Sequence, residues 1–164
     1  MKELLKAAIE NLAILSVNLR NAKVSMSEGF NSLNINAAPK KNQSFRNVVK
    51  IEFIEMIRED DANDKKQFYS FRYDVGARLI SPEAPDESSD EDESILTIEA
   101  CFEAIYIAKK ELSEEELEAF GTNNVGYNVW PYWREYLQST CTRLGVNPIR
   151  IPFYNTSKSD IRKE

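Results

Sequence analysis

The chain has 164 residues, of which 42% are hydrophobic and 29% are charged, and its net charge is −6. This composition is typical of one globular domain that buries its own core. The negative charge argues against a nucleic-acid ligand, because binding to phosphates needs a basic surface. Histidine is absent, which removes the commonest general base and metal ligand, and no glycine-rich phosphate loop is present. We therefore expect a protein that is not an enzyme and needs no cofactor or metal.

Two cysteines, Cys101 and Cys141, lie far apart in the sequence. They permit one disulfide but not a disulfide framework. Charged residues interrupt the apolar residues of Met1–Leu15, so this segment does not resemble a signal peptide. No apolar run is long enough to span a membrane. We therefore expect a cytoplasmic protein with reduced thiols and no membrane insertion.

The first third of the chain predicts one helix and two strands. Apolar residues at three- and four-residue spacing predict an N-terminal amphipathic helix over residues 1–12. Alternation of apolar and polar residues then predicts a strand over Ala13–Met26, with a bulge at Asn21–Ala22. A second strand is expected over Val48–Arg58. Its alternation fades near its end, where both faces become apolar at Phe53, Ile54 and Met56.

A long polar connection, residues 28–45, joins these two strands and is called the crossover loop. It is rich in asparagine and is expected to lack regular structure, and loops of this length inside a domain are often functional. It nevertheless carries apolar side chains, namely Phe30, Leu33, Ile35 and Phe45. Such side chains either pin the loop to its own sheet or present a binding surface, and both interpretations stay open.

Two longer alternating segments predict strands three and four, over Gln67–Ile80 and Ile95–Ala108. Strands that follow one another through turns indicate an antiparallel meander. Between them, residues 82–94 form an acidic loop with seven acidic residues and no base. Without these seven carboxylates the net charge of −6 becomes +1. We expect a solvated hairpin tip, and docking of a basic partner is the alternative.

Two helices are predicted after the fourth strand. Ser113 and Glu116 form a capping-box pattern at the start of the first helix, and Gly121 is expected to end it. The second and longer helix is predicted over Val129–Leu144, with Pro131 in its first turn. Its apolar stripe includes Trp133, Leu137, Cys141 and Leu144.

The chain after the long helix is predicted to be extended. Gly145 follows the helix as a terminator, and prolines keep residues 147–154 extended. This segment carries the aromatic pair Phe153 and Tyr154. Residues 155–164 are polar and form a tail that is expected to fray.

The start of the long helix resembles the main helix of the SecB chaperone family. That family has an aromatic-Pro-Tyr-x-Arg-Glu pattern, which is matched here by Trp130, Pro131, Tyr132, Arg134 and Glu135. The order of elements is similar as well, with four strands, a long crossover after the first strand and then the helix. The resemblance covers about residues 13–153, and we assign residues 13–154 to a SecB-like chaperone domain.

The resemblance implies an α+β fold, in which a four-stranded antiparallel sheet carries helices on one face. The helix over residues 1–12 is then an addition to the family fold. The family assembles as a dimer of dimers, so a homotetramer is expected. We assign the stripe of the long helix to its interface, because a stripe this apolar should not stay exposed: Trp133, Leu137, Cys141 and Leu144.

The resemblance also implies an ATP-independent chaperone that holds an unfolded polypeptide client in apolar grooves. Candidate client-binding residues are the large apolar side chains on the crossover loop, the second strand, the helix start and the extended tail: Phe30, Leu33, Ile35, Phe45, Phe53, Ile54, Met56, Trp130, Phe153 and Tyr154. Aromatic and methionine surfaces suit varied clients because they repack easily.

Several departures from the export chaperones favour a dedicated client over general export. The additional N-terminal helix and the acidic loop are two of them, and Lys23 stands where export chaperones present an acid to the SecA motor. These features are similar to the solitary SecB-like chaperones of toxin–antitoxin systems, which hold an apolar tail of the antitoxin. An export chaperone that delivers preproteins to the translocase motor is one alternative. An adaptor that docks a folded partner through the acidic loop is the other.

Overall fold

The computed structural model describes residues 1–85 and 94–154. Residues 86–93 of the acidic loop and the polar tail 155–164 therefore lie outside the described residues. No helix in the described ranges is long and apolar enough to cross a membrane. The elements are, in chain order, α1 (Lys2–Asn11), β1 (Leu12–Met26), α2 (Asn34–Ala37), β2 (Lys41–Ile57), β3 (Lys65–Ile80), β4 (Ser94–Ala108), α3 (Glu114–Phe120), a π-turn (Gly121–Val125) and α4 (Gly126–Leu144).

The four strands form one antiparallel sheet in the order β1-β4-β3-β2, with β1 and β2 at the edges. Directly paired residues share a face of a sheet, and the long alternating strands β3 and β4 turn their large apolar residues to one side. The helices pack on that side, which we call the helix face; we call the opposite side the far face. Phe71 on β3, Phe120 at the end of α3 and Trp133 on α4 lie at the centre of the core.

Strand β1 keeps its apolar residues on the helix face by means of two bulges. The bulges lie between Ile14 and Ser16 and between Leu19 and Asn21. Each inserts one residue and shifts the alternation by one position. The predicted bulge at Asn21–Ala22 is therefore displaced by about one residue, and the bulge at Leu15 was not predicted because Leu15 is itself apolar.

Strand β2 begins at Lys41, well before the predicted start at Val48. The added residues are mostly polar and show no amphipathic alternation, so only their pairing with β3 makes them a strand. Phe45 consequently lies on β2 and not in a loop. The remaining crossover loop also contains a short helix, α2, where no regular structure was expected.

Helices α3 and α4 are joined directly by the π-turn, so the chain stays helical from Glu114 to Leu144. The capping box of Ser113 and Glu116 is present, as predicted. Gly121 does not end the helix, because its backbone is right-handed helical and leads into the π-turn. Helix α4 therefore begins at Gly126, and Pro131 lies inside it rather than in its first turn. Gly145 ends it in the left-handed conformation, with a φ of 68°.

The apolar stripe of α4 is covered by the protomer's own sheet. Trp133, Leu137 and Cys141 are buried, and Leu144 is half-buried at the edge of the core. Burial inside the protomer accounts for this stripe without a second copy. Trp133, Leu137 and Cys141 are thus not available to a neighbour in this packing, whereas Leu144 is partly accessible; the tetramer itself stays a prediction.

Candidate functional site

The end of β2 exposes apolar side chains on both faces of the sheet. Phe53 pairs with Tyr69 on the helix face, where the ring centroids lie 5.2 Å apart. Ile54 pairs with Phe68 on the far face, and Met56 shares that face. Phe53 is 42% exposed and Met56 is 60% exposed. We call Phe53, Ile54, Met56 and Ile57 the β2 tip.

Some apolar side chains of the crossover loop are buried in the core, and one is exposed to solvent. Ile35 is fully buried and Phe30 packs against the core, so these two pin the loop. Leu33 is 85% exposed. Phe45 lies on the far face over Gly76, where a Cβ would come within 2.8 Å of its Cζ. The loop thus presents Leu33 outward, whereas Ile35 in the loop and Phe45 on β2 are accounted for by packing within the protomer.

Polar contacts fix the crossover loop at the C-terminal end of α4. The Asn36 side-chain amide donates to the Gly145 carbonyl at 3.0 Å, and the Asn147 N–H donates to the Asn36 side-chain oxygen at 2.8 Å. The Lys40 ammonium donates to the Ile35 carbonyl at the end of α2. Leu33 thus lies between Phe30, which packs against the core, and Asn36, whose side chain is hydrogen-bonded to Gly145 and Asn147.

A third group of aromatic residues lies at the start of α4. The rings of Trp130 and Tyr154 are 5.6 Å apart, and those of Tyr127 and Tyr154 are 6.5 Å apart. The Arg46 guanidinium lies 4.5 Å from the centroid of Tyr154. We call Arg46, Tyr127, Trp130 and Tyr154 the aromatic cluster. Phe153 lies outside it, with the Arg134 guanidinium 4.8 Å from its ring centroid.

These three groups are spread along one strand and do not form a single cleft. The crossover loop leads into Lys41 at the start of β2, Arg46 lies further along, and Phe53 lies near the end. With about 3.3 Å per strand residue, Arg46 and Phe53 are roughly 23 Å apart. Leu33 and Trp130 lie near opposite ends of α4, which at about 1.5 Å per residue are more than 20 Å apart. Only an extended ligand that lies along β2 reaches all three.

The centre of the far face is polar and ion-paired. Glu103 accepts hydrogen bonds from Arg20 at 3.0 Å and from the Ser70 hydroxyl at 2.8 Å. Arg72 lies 3.4 Å from Glu52, whose pKa is lowered mainly by its hydrogen bond with Lys50. The charges of this face are thus paired with one another, and the face offers little apolar surface there.

The buried hydroxyls and thiols next to these surfaces hold their protons. Burial raises the pKa of Tyr73, and the nearby Tyr154 hydroxyl raises it further. Burial, together with a hydrogen bond to Asp74, raises the pKa of the Cys101 thiol to about 11. A neutral thiol is a poor nucleophile. Neither group is arranged for catalysis near neutral pH.

Sequence reasoning missed Arg46 and Tyr127. Arg46 stands on a stretch of β2 that was assigned to no element, and Tyr127 precedes the predicted start of α4. The exposed apolar face of β1 was also missed, namely Ile14, Leu19 and Val24, which are all over 40% exposed. Their apolar character is visible in the sequence. Their exposure is not, because it depends on the strand order, which places β1 at an edge of the sheet.

No family model matches the sequence, and no curated protein matches it. A solved structure does match: the SecB-like chaperone Rv1957 of Mycobacterium tuberculosis, in complex with a ChAD peptide from the antitoxin HigA1. The TM-score is 0.62 and the sequence identity is 18%, with 93% of this chain and 97% of that chain covered. The chain has the SecB-like fold.

The SecB-like fold accounts for nearly the whole chain, since the similarity extends over 93% of it. The predicted fold class is thereby confirmed, with a four-stranded antiparallel sheet, helices on one face and an N-terminal helix. The solved protein is a chaperone, and it was solved with a peptide from an antitoxin.

Proposed function

We propose that this chain is a chaperone of the SecB-like type that holds an extended, aggregation-prone polypeptide, and that its client is the antitoxin of a toxin–antitoxin system. The fold carries this proposal, because a protein of this fold was solved with an antitoxin peptide bound. The client lies along β2, from Leu33 past the aromatic cluster to the β2 tip. Holding is equilibrium binding to the unfolded chain that competes with aggregation, so it requires no ATP.

The β2 tip is the part of this surface that contributes most readily to affinity. Its side chains are apolar and accessible on both faces of an edge strand. An extended client can pair its backbone with a free edge and place alternate side chains on each face. Such binding reads apolar character rather than a fixed sequence, because the contacts are made by adaptable surfaces.

The experiment is the double change Phe53→Ser with Met56→Ser. Full burial of one such side chain contributes ~1.5–3 kcal/mol. Because about half of each side chain is accessible, we expect ~1 kcal/mol from each when a client covers it. At ~1.4 kcal/mol per tenfold, the double variant should bind an unfolded, reduced and alkylated polypeptide at least about tenfold more weakly. Calorimetry measures the affinity, and light scattering verifies that assembly is unchanged.

The matched control is Ile9→Ser, which makes the same chemical change on the exposed side of α1. It should leave the affinity unchanged. Equal affinities for the wild type and the double variant would remove the β2 tip from the binding surface. Absence of binding to any unfolded polypeptide by the wild type would overturn the chaperone proposal.

We further propose that the chain assembles through the exposed apolar face of β1 and that the assembly is a homotetramer. Ile14, Leu19 and Val24 lie on the helix face of an edge strand, where no element within residues 1–85 and 94–154 covers them fully. Three such side chains in one row are typical of an interface rather than a solvated edge. This surface replaces the buried α4 stripe as the candidate interface.

A further inference from the structure

The segment that follows α4 lies on the proposed client surface of its own protomer, where it contacts Trp130 and Arg46. Val146 and Ile149 are buried and anchor it to the core. Residues 150–154 form no helix or strand, and they reach the aromatic cluster at Tyr154. We call residues 150–154 the strap.

Two kinds of contact hold the end of the strap. The Trp130 indole N–H donates to the Pro152 carbonyl at 2.9 Å, which is a contact to the backbone and hence independent of side-chain identity. The Tyr154 ring lies 5.6 Å from the Trp130 ring and has the Arg46 guanidinium 4.5 Å from its centroid, which is the geometry of a cation–π contact. Together these contacts recognise an aromatic side chain that lies two residues after a backbone carbonyl bound by the Trp130 indole.

We infer that Arg46, Tyr127 and Trp130 of the aromatic cluster form a site for an aromatic residue of an extended polypeptide, and that Tyr154 occupies this site as an internal competitor. The inference rests on the proposed function and gives its client a chemical class, namely an extended segment with an aromatic side chain. A client that binds along the whole of β2 has to displace the strap, because Arg46 lies between the crossover loop and the β2 tip. Ile149 remains buried and acts as the anchor of the displaced strap.

Because Tyr154 occupies the site, the apparent affinity for a client equals the intrinsic affinity multiplied by the fraction of molecules whose site is open. If the strap covers the site in about nine molecules of ten, its removal tightens binding about tenfold. The test is Tyr154→Ala in the full chain, with a synthetic peptide that copies residues 147–154 (NPIRIPFY) and a second peptide in which the final Tyr is Ala. The variant should bind NPIRIPFY about tenfold more tightly than the wild type does, and the Ala peptide should gain nothing.

A second measurement reports displacement in the wild type itself. The chain has two tryptophans, so its NMR spectrum contains two indole N–H signals. The Trp133 signal, from the buried core, verifies that the fold is intact. An unfolded polypeptide should move the Trp130 signal, because the Pro152 carbonyl leaves its indole. A Trp130 signal that stays in place at saturating client overturns the inference.

The control is Tyr132→Ala, which removes an exposed aromatic residue of α4 that lies outside the aromatic cluster, and it should not alter peptide affinity. Equal or weaker binding of NPIRIPFY by Tyr154→Ala overturns the inference, since Tyr154 is then a wall of the site or only a structural contact. The two proposals can fail separately. If neither the wild type nor Tyr154→Ala binds unfolded polypeptide, but the variant binds NPIRIPFY more tightly, the chaperone proposal is wrong and the aromatic site is supported.

Discussion

Gly126, at the junction of the π-turn and α4, is expected to be required for the docking of Tyr154. Its φ of −58° is an ordinary helical value, so the requirement is spatial and not conformational. A Cβ there would lie 2.5 Å from the Tyr73 hydroxyl oxygen and 2.6 Å from Tyr154 Cε2, whereas ordinary contact begins at 3.4 Å. Gly126→Ala must therefore shift both tyrosines by nearly 1 Å or expel Tyr154.

The magnitude follows from two opposing effects. Overpacking of a filled site costs about 1–3 kcal/mol, and alanine gains about 1 kcal/mol over glycine inside a helix. The net loss of unfolding free energy is thus about 0–2 kcal/mol. In a Tyr154→Ala background, only the contact with Tyr73 remains, so the same change should cost about 1 kcal/mol less.

Urea unfolding of the four proteins in this double-mutant cycle measures the coupling. Gly126→Ala should also move the Trp130 indole signal toward its position in Tyr154→Ala, because the expelled ring takes Pro152 with it. A Gly126→Ala protein that is more stable than the wild type, with an unmoved Trp130 signal, would refute the argument. It would mean that the close approach of the two hydroxyls to the helix does not constrain the strap.

Three further outcomes are expected. Leu19→Glu with Val24→Glu should convert the assembly to a species near the chain's 18.9 kDa in light scattering, and a wild-type mass already near that value excludes the tetramer. Replacement of residues 85–93 by a Gly-Ser linker should leave client binding nearly unchanged, because this range holds six acidic residues and no large apolar side chain that a client could bury; lost binding favours the docking alternative. Burial raises the pKa of Cys101 from 9.0 to about 11, so the folded state keeps a proton that the unfolded chain loses. The stabilisation from this buried, protonated thiol is complete below about pH 9 and is lost as the pH rises through about 11. Urea unfolding at several alkaline pH values should therefore show a free energy of unfolding that falls with pH, and Cys101→Ala should make this fall smaller.

Local signals in the sequence predicted the elements whose causes are local. The capping box of Ser113 and Glu116 and the left-handed Gly145 are fixed by residues within one turn, and both occur where expected. The alternation of β3 and β4 is equally explicit, because both strands are central and turn one apolar face to the helices. Long-range pairing was harder, and the polar start of β2 shows why: residues there become a strand through the hydrogen bonds of β3.

The sequence could identify apolar residues but not what covers them. Trp133 and Leu137 have the same apolar stripe whether a second copy or the protomer's own sheet buries them. The same limit applies to the candidate site: Leu33 and Ile35 are two residues apart on one loop, yet one is exposed and the other is buried. The positions of Arg46 and Tyr154 depend on how a segment that follows α4 returns to β2, which no local pattern encodes.

The π-turn between α3 and α4 sets the rotation of α4 relative to α3, although its sequence resembles a linker. The packing of α4 is therefore sensitive to the number of residues in this turn. An α-helix turns by about 100° and advances about 1.5 Å per residue. Deletion of a single residue within Gly121–Val125 would restore regular α-helical bonding and rotate all of α4 relative to α3 by that angle. Trp133 and Leu137 would then turn away from the sheet. Insertions and deletions should therefore be tolerated in the acidic loop but not in this short segment, although both are polar in sequence.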